Sequence, residues 1–158
     1  MNLRISFITV LLFIFTISAT AQIKTGDAIP SIELKNSFNE PVNLSNLSGK
    51  FLVIDFWASW CAPCRLGNKK LVKIHANLDN EKITIVGISL DTDTTKWKKA
   101  IEKDKIKFLQ LIDPNGFEAK TALLFGVEAL PSKYVFNSNG ILININPTEE
   151  ELINLIKQ

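Results

Sequence analysis

Sulfur and imidazole are scarce in this chain: its 158 residues include two cysteines, one methionine and one histidine. A structural zinc site normally needs four ligands, and His75 alone would have to join the two thiols. An excess of one charge is also lacking. Lys and Arg number 18 against 16 Asp and Glu, a net of +2. No strong field is therefore available to draw in nucleic acid or an anionic membrane. The lysines at 69, 70, 73, 96, 98 and 99 read as solvated helix faces. After residue 21 the chain has no internal repeat and no low-complexity tract.

One apolar run stands out, and it is short. Arg4 supplies a positive start, Ile5 to Ile17 is almost wholly apolar, and Ala19-Thr20-Ala21 has the small-x-small pattern of a cleavage site. The run falls below the ~20 residues of a membrane-spanning helix, so residues 1–21 are expected to be a cleaved signal peptide, with an uncleaved anchor as the alternative. No cysteine lies near this end to carry a lipid. The mature chain is expected to begin at Gln22, in the periplasm, with no stable membrane insertion. Residues 22–158 have the length of one domain with one core.

Within that domain, Ile32-Glu33-Leu34 and Val42-Asn43-Leu44 flank a polar turn and predict a hairpin. Phe51 to Trp57 and Ile83 to Ser89 are near-continuous apolar strands of the kind buried on both faces of a partly parallel sheet. Leu71, Ile74, His75 and Leu78 recur at helical spacing, and His75 reads as a packed helix residue. Thr94 or Thr95 is expected to cap a helix running to about Lys103, with Trp97, Ala100 and Ile101 on one face. Phe108 to Ile112 predicts a strand and Glu118 to Phe125 a helix. Tyr134 to Phe136 and Ile141 to Ile145 predict a second hairpin. Pro147 to Glu150 opens a last helix with an acidic first turn and Lys157 near its end. The order predicts an α/β fold, a mixed central sheet flanked by helices.

The two cysteines sit together in Trp60-Cys61-Ala62-Pro63-Cys64, between an apolar strand and a helical stretch. Thiols three residues apart can open and close a disulfide. At a helix N-terminus, unpaired N–H groups and the dipole stabilise a thiolate, and Cys-x-x-Cys motifs reach pKa values of roughly 3.5–7.5. Cys61 is the expected nucleophile, and Cys64, one turn later, the resolving thiol. Ala62 and Pro63 set the stiffness of the loop and tune the potential; Pro63 is tolerated in a first helical turn. A structural disulfide gains little from so small a loop, and a metal clip lacks ligands, but both stand as alternatives. Asp55, inside the apolar strand, is expected to be buried with a raised pKa and to take the Cys64 proton, directly or through a water. The competing reading turns it toward solvent at the sheet end.

Val53-Ile54-Asp55-Phe56-Trp57-Ala58-Ser59-Trp60-Cys61-Ala62-Pro63-Cys64-Arg65 resembles the active-site stretch of thioredoxin-fold proteins. More closely, the chain resembles exported thiol–disulfide oxidoreductases of the TlpA/ResA type, near the AhpC/TSA group. Gly26 to Pro30, Val42 to Lys50, and Phe125-Gly126-Val127 through Leu130-Pro131 match in order. The resemblance implies a thioredoxin-like fold with an N-terminal β-hairpin extension. It implies that Pro131 is a cis-proline facing the cysteines, that Leu130 offers backbone groups to a substrate strand, and that Trp60 shields the thiolate and helps dock the substrate. It also implies a monomer with no cofactor beyond the Cys61–Cys64 disulfide and no metal. Expected partners are disulfide-containing client proteins and a membrane thiol electron donor, with no nucleic acid.

Three positions depart from the pattern. Arg65-Leu66-Gly67-Asn68-Lys69 stands where the family often has Arg-x-Glu-x-Pro, which predicts a straighter helix. Asp55 is similar to the buried acid of ordinary thioredoxins, where many exported relatives are neutral. Pro131-Ser132 replaces Pro-Thr. The expected function is reduction of client disulfides, as in cytochrome c maturation or a similar role. A thiol peroxidase is the alternative, but its usual Pro and Thr positions hold Ile54 and Ala58. A non-enzymatic metal- or client-binding module is the third reading.

Overall fold

A computed structural model of the chain describes residues 22–77 and 82–156. The segment read as a signal, 1–21, together with Leu78 and Lys157, lies outside the described residues. Among the described residues, seven strands form one sheet in the order β2-β1-β5-β4-β3-β6-β7. They are β1 (Glu33–Asn36), β2 (Pro41–Asn43), β3 (Phe51–Trp57), β4 (Ile83–Ser89), β5 (Leu109–Ile112), β6 (Ser132–Phe136) and β7 (Leu142–Ile145). The α-helices of the described residues flank it: α1 (Ala62–His75), α2 (Thr94–Lys103), α3 (Lys120–Phe125) and α4 (Glu149–Ile156).

The two apolar runs take the centre. β3 pairs with β4 in parallel and β4 with β5 in parallel, while β6 runs antiparallel to β3 and β7 antiparallel to β6. The N-terminal hairpin β1–β2 extends one edge, antiparallel to β5. This is a thioredoxin-like α/β fold around a mixed sheet, with the hairpin extension that the sequence implies.

Because side chains alternate along a strand, β3 feeds two cores. Leu52, Ile54 and Phe56 join one cluster with Val86, Ile88, Phe125, Tyr134 and Phe136. Val53 and Trp57 join the other, which holds Cys61, Cys64, Leu71 and Trp97.

Two expectations are corrected. The cap of α2 is Asp93, whose carboxylate accepts the Thr95 and Lys96 N–H groups at 2.9 and 3.1 Å; Thr94 and Thr95 are already inside the helix. A carboxylate there also meets the positive end of the dipole. The helix expected over Glu118 to Phe125 is split. A 3-10 turn, Gly116–Glu118, precedes α3, because Ala119 is extended (φ −59°, ψ 140°). The break lets the Thr121 N–H and hydroxyl reach the Asp113 carboxylate at 3.0 and 2.8 Å.

Among the described residues, no helix is long and apolar enough to cross a membrane.

Candidate functional site

The apolar strand β3 ends at Trp57, and the chain turns through Ala58-Ser59-Trp60 before α1 begins. That turn is clamped. The Asp91 carboxylate accepts the Ser59 N–H at 2.8 Å and its hydroxyl at 2.6 Å. The Arg65 guanidinium donates to the Ser59 carbonyl at 3.1 Å and forms a two-pronged pair with the buried Asp104 carboxylate. The hydrogen bond to Asp104 pushes the Arg65 pKa further above its already high value. A fork-like pair of this kind fixes orientation as well as charge.

Cys61 is thereby placed at the N-cap of α1, and Pro63 falls in the first turn. The backbone N–H of Cys64 donates to Cys61 Sγ at 3.2 Å. Cys61 and Cys64 are joined by a disulfide. Cys61 keeps 6% of its surface exposed and Cys64 none, so a reagent meets Cys61 first. Ala62 and Pro63 are exposed beside it. Helix α1 runs unbroken over 14 residues.

Asp55 is 1% exposed, which excludes the solvent-facing alternative. Its position, between Val53 and Trp57 in alternation, puts it on the cysteine face of the sheet. Burial pushes its carboxyl above the usual carboxylate range, and the Lys133 ammonium opposes that shift. Lys133 Nζ lies 2.8 Å from Asp55 Oδ1, an ion pair without hydrogen-bond alignment.

In the sheet, Gln110, Gly87, Asp55 and Lys133 form one row across β5, β4, β3 and β6. A Cβ at Gly87 would press on the end of the Gln110 side chain and displace its amide. Gln110 in turn accepts the Trp57 indole N–H at 2.9 Å.

On the other side of the motif, the Leu130–Pro131 peptide bond is cis, as the resemblance implies. Leu130 packs against the cluster that holds both cysteines. The loop is set by Gly126, the left-handed cap of α3 (φ 70°), a conformation that glycine adopts without a Cβ clash. Trp60 is 61% exposed and its ring lies tilted against Phe117, itself 39% exposed, with centroids 6.4 Å apart. His75 is half-buried and packs its ring on Phe108, at 5.8 Å. Among the described residues, no group of three or more His, Cys, Asp or Glu could hold a metal ion.

Sequence reasoning missed Lys133, Asp91, Asp104 and the Gln110–Gly87 contact. Only Lys133 had a signal. It is the single cation in the strand Ser132 to Phe136, on the same alternating face as Val135, and a lone buried acid calls for such a partner.

Comparison with known proteins fits this geometry. The AhpC/TSA family model matches residues 25–145. A thiol-disulfide oxidoreductase ResA from Oceanobacillus iheyensis is 31% identical over 121 residues, 74% of this chain. The thioredoxin-like protein YneN of Bacillus subtilis is 27% identical over 78% of the chain. The chain spans 62% of the first protein's length and 72% of the second's. Among solved structures, a thiol-disulfide oxidoreductase from Bacteroides fragilis is 28% identical. It superposes with a TM-score of 0.77, covering 83% of this chain and 98% of that one. The thioredoxin domain of a thiol-disulfide oxidoreductase from Bacteroides vulgatus gives 0.76 at 26% identity, covering 86% of this chain and 97% of that one. A family match over most of the described residues, carried on the same fold, shows that this chain belongs to the AhpC/TSA family.

Proposed function

We propose that this protein is an extracytoplasmic thiol–disulfide oxidoreductase that reduces disulfides in client proteins. The observation that carries this reading is the Cys61–Cys64 pair at the N-cap of α1, with Cys61 the more accessible sulfur. In the reduced protein, the Cys61 thiolate attacks one sulfur of the client disulfide. A mixed disulfide forms, and the other client sulfur leaves as a thiolate. Cys64 then loses its proton to Asp55 and attacks Cys61 Sγ, which releases the second client thiolate and leaves Cys61 and Cys64 joined. Two electrons have passed from the dithiol to the client.

The raised pKa of Asp55 suits the proton step, since a base works best when its pKa approaches the working pH. Exchange itself depends on the attacking thiolate and on access to it. Trp60 and Phe117 shield Cys61 and give the client an apolar surface. Leu130, beside the cis Pro131, offers backbone groups for strand pairing. Ala62 and Pro63 tune the potential. No cofactor beyond the disulfide is used.

The segment 1–21 is proposed as the export signal, which places the domain in the periplasm. An oxidising compartment requires an electron source, so a membrane thiol carrier is proposed to re-reduce Cys61–Cys64. The reaction direction is tested by the reduction potential of the pair. A value near the roughly −270 mV of thioredoxin supports a reductase, and one near the roughly −120 mV of DsbA overturns it in favour of disulfide formation.

A further inference from the structure

A groove of about 310 Å³ opens beside Trp60, on the side where α2 passes the cysteine turn. It is lined by Ser59, Trp60, Arg65, Ala100 and the lysines at 96, 99 and 103. The three lysines fall on one side of α2 because positions three and four apart share a helix face. All three are exposed. Lys96 has only a loose contact with Asp93, at 3.9 Å, and Lys99 and Lys103 have no ion-pair partner among the described residues. Arg65 is already matched by the buried Asp104. The lysine stripe alone therefore exceeds the net charge of the whole chain, +2. Among the described residues, no carboxylate lines the groove.

We propose that this groove binds an acidic segment flanking the target cysteine of the client, and so makes the protein selective for clients with carboxylates near the disulfide. The inference rests on the client-reductase reading above and adds the class of client. Charge complementarity supplies the partner's chemistry, and dimensions favour a polypeptide over a small anion. Lys96 to Lys103 spans about 10 Å of helix, the length of about three residues of extended chain. The apolar end of the groove, at Trp60, borders Cys61, so a client held there presents carboxylates to α2 while its sulfur meets the reactive one. Charges on such a rim act chiefly on the association rate and lose their effect in salt.

The test uses the reduced protein and three peptides, each with the same cysteine in a disulfide and flanked on both sides by three Glu, three Gln or three Lys. Second-order rate constants for reduction are measured in low and in 0.3 M salt. At low salt the Glu peptide is expected to react about 10-fold faster than the Gln peptide and the Lys peptide slower than both, differences that 0.3 M salt largely removes. Replacing Lys96, Lys99 and Lys103 together by Gln should abolish the order while leaving the Gln-peptide rate and the circular dichroism spectrum unchanged.

Equal rates for the three peptides, or an order that survives in the triple variant, overturn the proposal while the reductase reading stands. If no peptide is reduced although Cys61 still alkylates, the reductase reading falls and the inference falls with it. Loss of the Glu-peptide advantage on adding 10 mM inorganic phosphate at constant ionic strength would assign the groove to small anions and overturn the polypeptide claim.

Discussion

On one face of the sheet, Ile54 and Phe56 meet Phe125, Tyr134 and Phe136 in an apolar core whose buried polar groups are paired. The Tyr134 hydroxyl donates to the Phe125 carbonyl at 2.6 Å, and the Ser132 hydroxyl to the Ala129 carbonyl at 2.7 Å. On the other face, Val53, Asp55 and Trp57 point toward α1 and the cysteines. The buried side-chain atoms left without a hydrogen bond among the described residues belong to Asp55, Asn68, Trp97 and Gln110. All four residues lie on this second face: Trp97 within its cluster, Asn68 between Cys64 and Leu71 on α1, and Asp55 and Gln110 by strand alternation. Two halves of one sheet are thus built to different ends. The first is filled for stability. The second tolerates buried polarity, which costs folding free energy unless it is paired, and it is the half that holds the Cys61–Cys64 disulfide.

Substitutions on the two faces should behave oppositely. Phe56→Ala, on the apolar face, should cost about 3–5 kcal/mol of unfolding free energy by leaving a cavity. The reduction potential of the cysteines should not move, and a loss below 1 kcal/mol by denaturant titration would remove the distinction between the faces.

Asp55→Asn, on the site face, should slow release of the mixed disulfide about 100-fold near neutral pH, the scale of a lost general base. Single-turnover kinetics read this step directly. Stability should move the other way, with a defined sign in pH. The folded-state pKa of Asp55 is raised by burial above its reference of 3.8. Asp55 therefore opposes folding least below pH 3.8, and its penalty grows as pH rises through the raised pKa. The gain from Asp55→Asn should accordingly be absent at low pH and largest at neutral pH; a gain independent of pH would contradict the raised pKa.

Much of this division was readable beforehand and some was not. The apolar runs of β3 and β4, the placement of Cys61 at a helix start and the acid at Asp55 follow from hydrophobic pattern and motif, which are local signals. Pro131 was legible only through resemblance, since Leu-Pro alone is an ordinary turn. The cap at Asp93 is not encoded locally, because Thr94, Thr95 and Asp93 are all good capping types and only the backbone geometry selects among them. The break at Ala119 depends on Asp113, which lies across a turn. Lys133, Asp104 and Gln110 meet the site through strand pairing or helix packing across long separations, and no local pattern encodes those partners.

Smaller effects sharpen the comparison further. Asn68 is 1% exposed, and neither of its amide atoms has a hydrogen-bond partner among the described residues. Asn68→Leu, close in volume, should stabilise the protein by about 1 kcal/mol, by removing an unpaired buried amide; a destabilisation would mean that the amide has a partner. Lys70 and Glu149 bridge α1 and α4 at 2.6 Å, but both side chains are more than half exposed. Lys70→Gln should therefore change stability by no more than about 0.5 kcal/mol, less still in high salt.

The central claim is that Cys61 attacks a client disulfide and Cys64 completes the exchange. It is tested most directly by expressing Cys64→Ser in the native host and isolating adducts under non-reducing conditions. Client proteins are expected on Cys61 as mixed disulfides that reductant releases, and none with Cys61→Ser. A Cys64→Ser protein whose Cys61 alkylates readily but carries no client would contradict it.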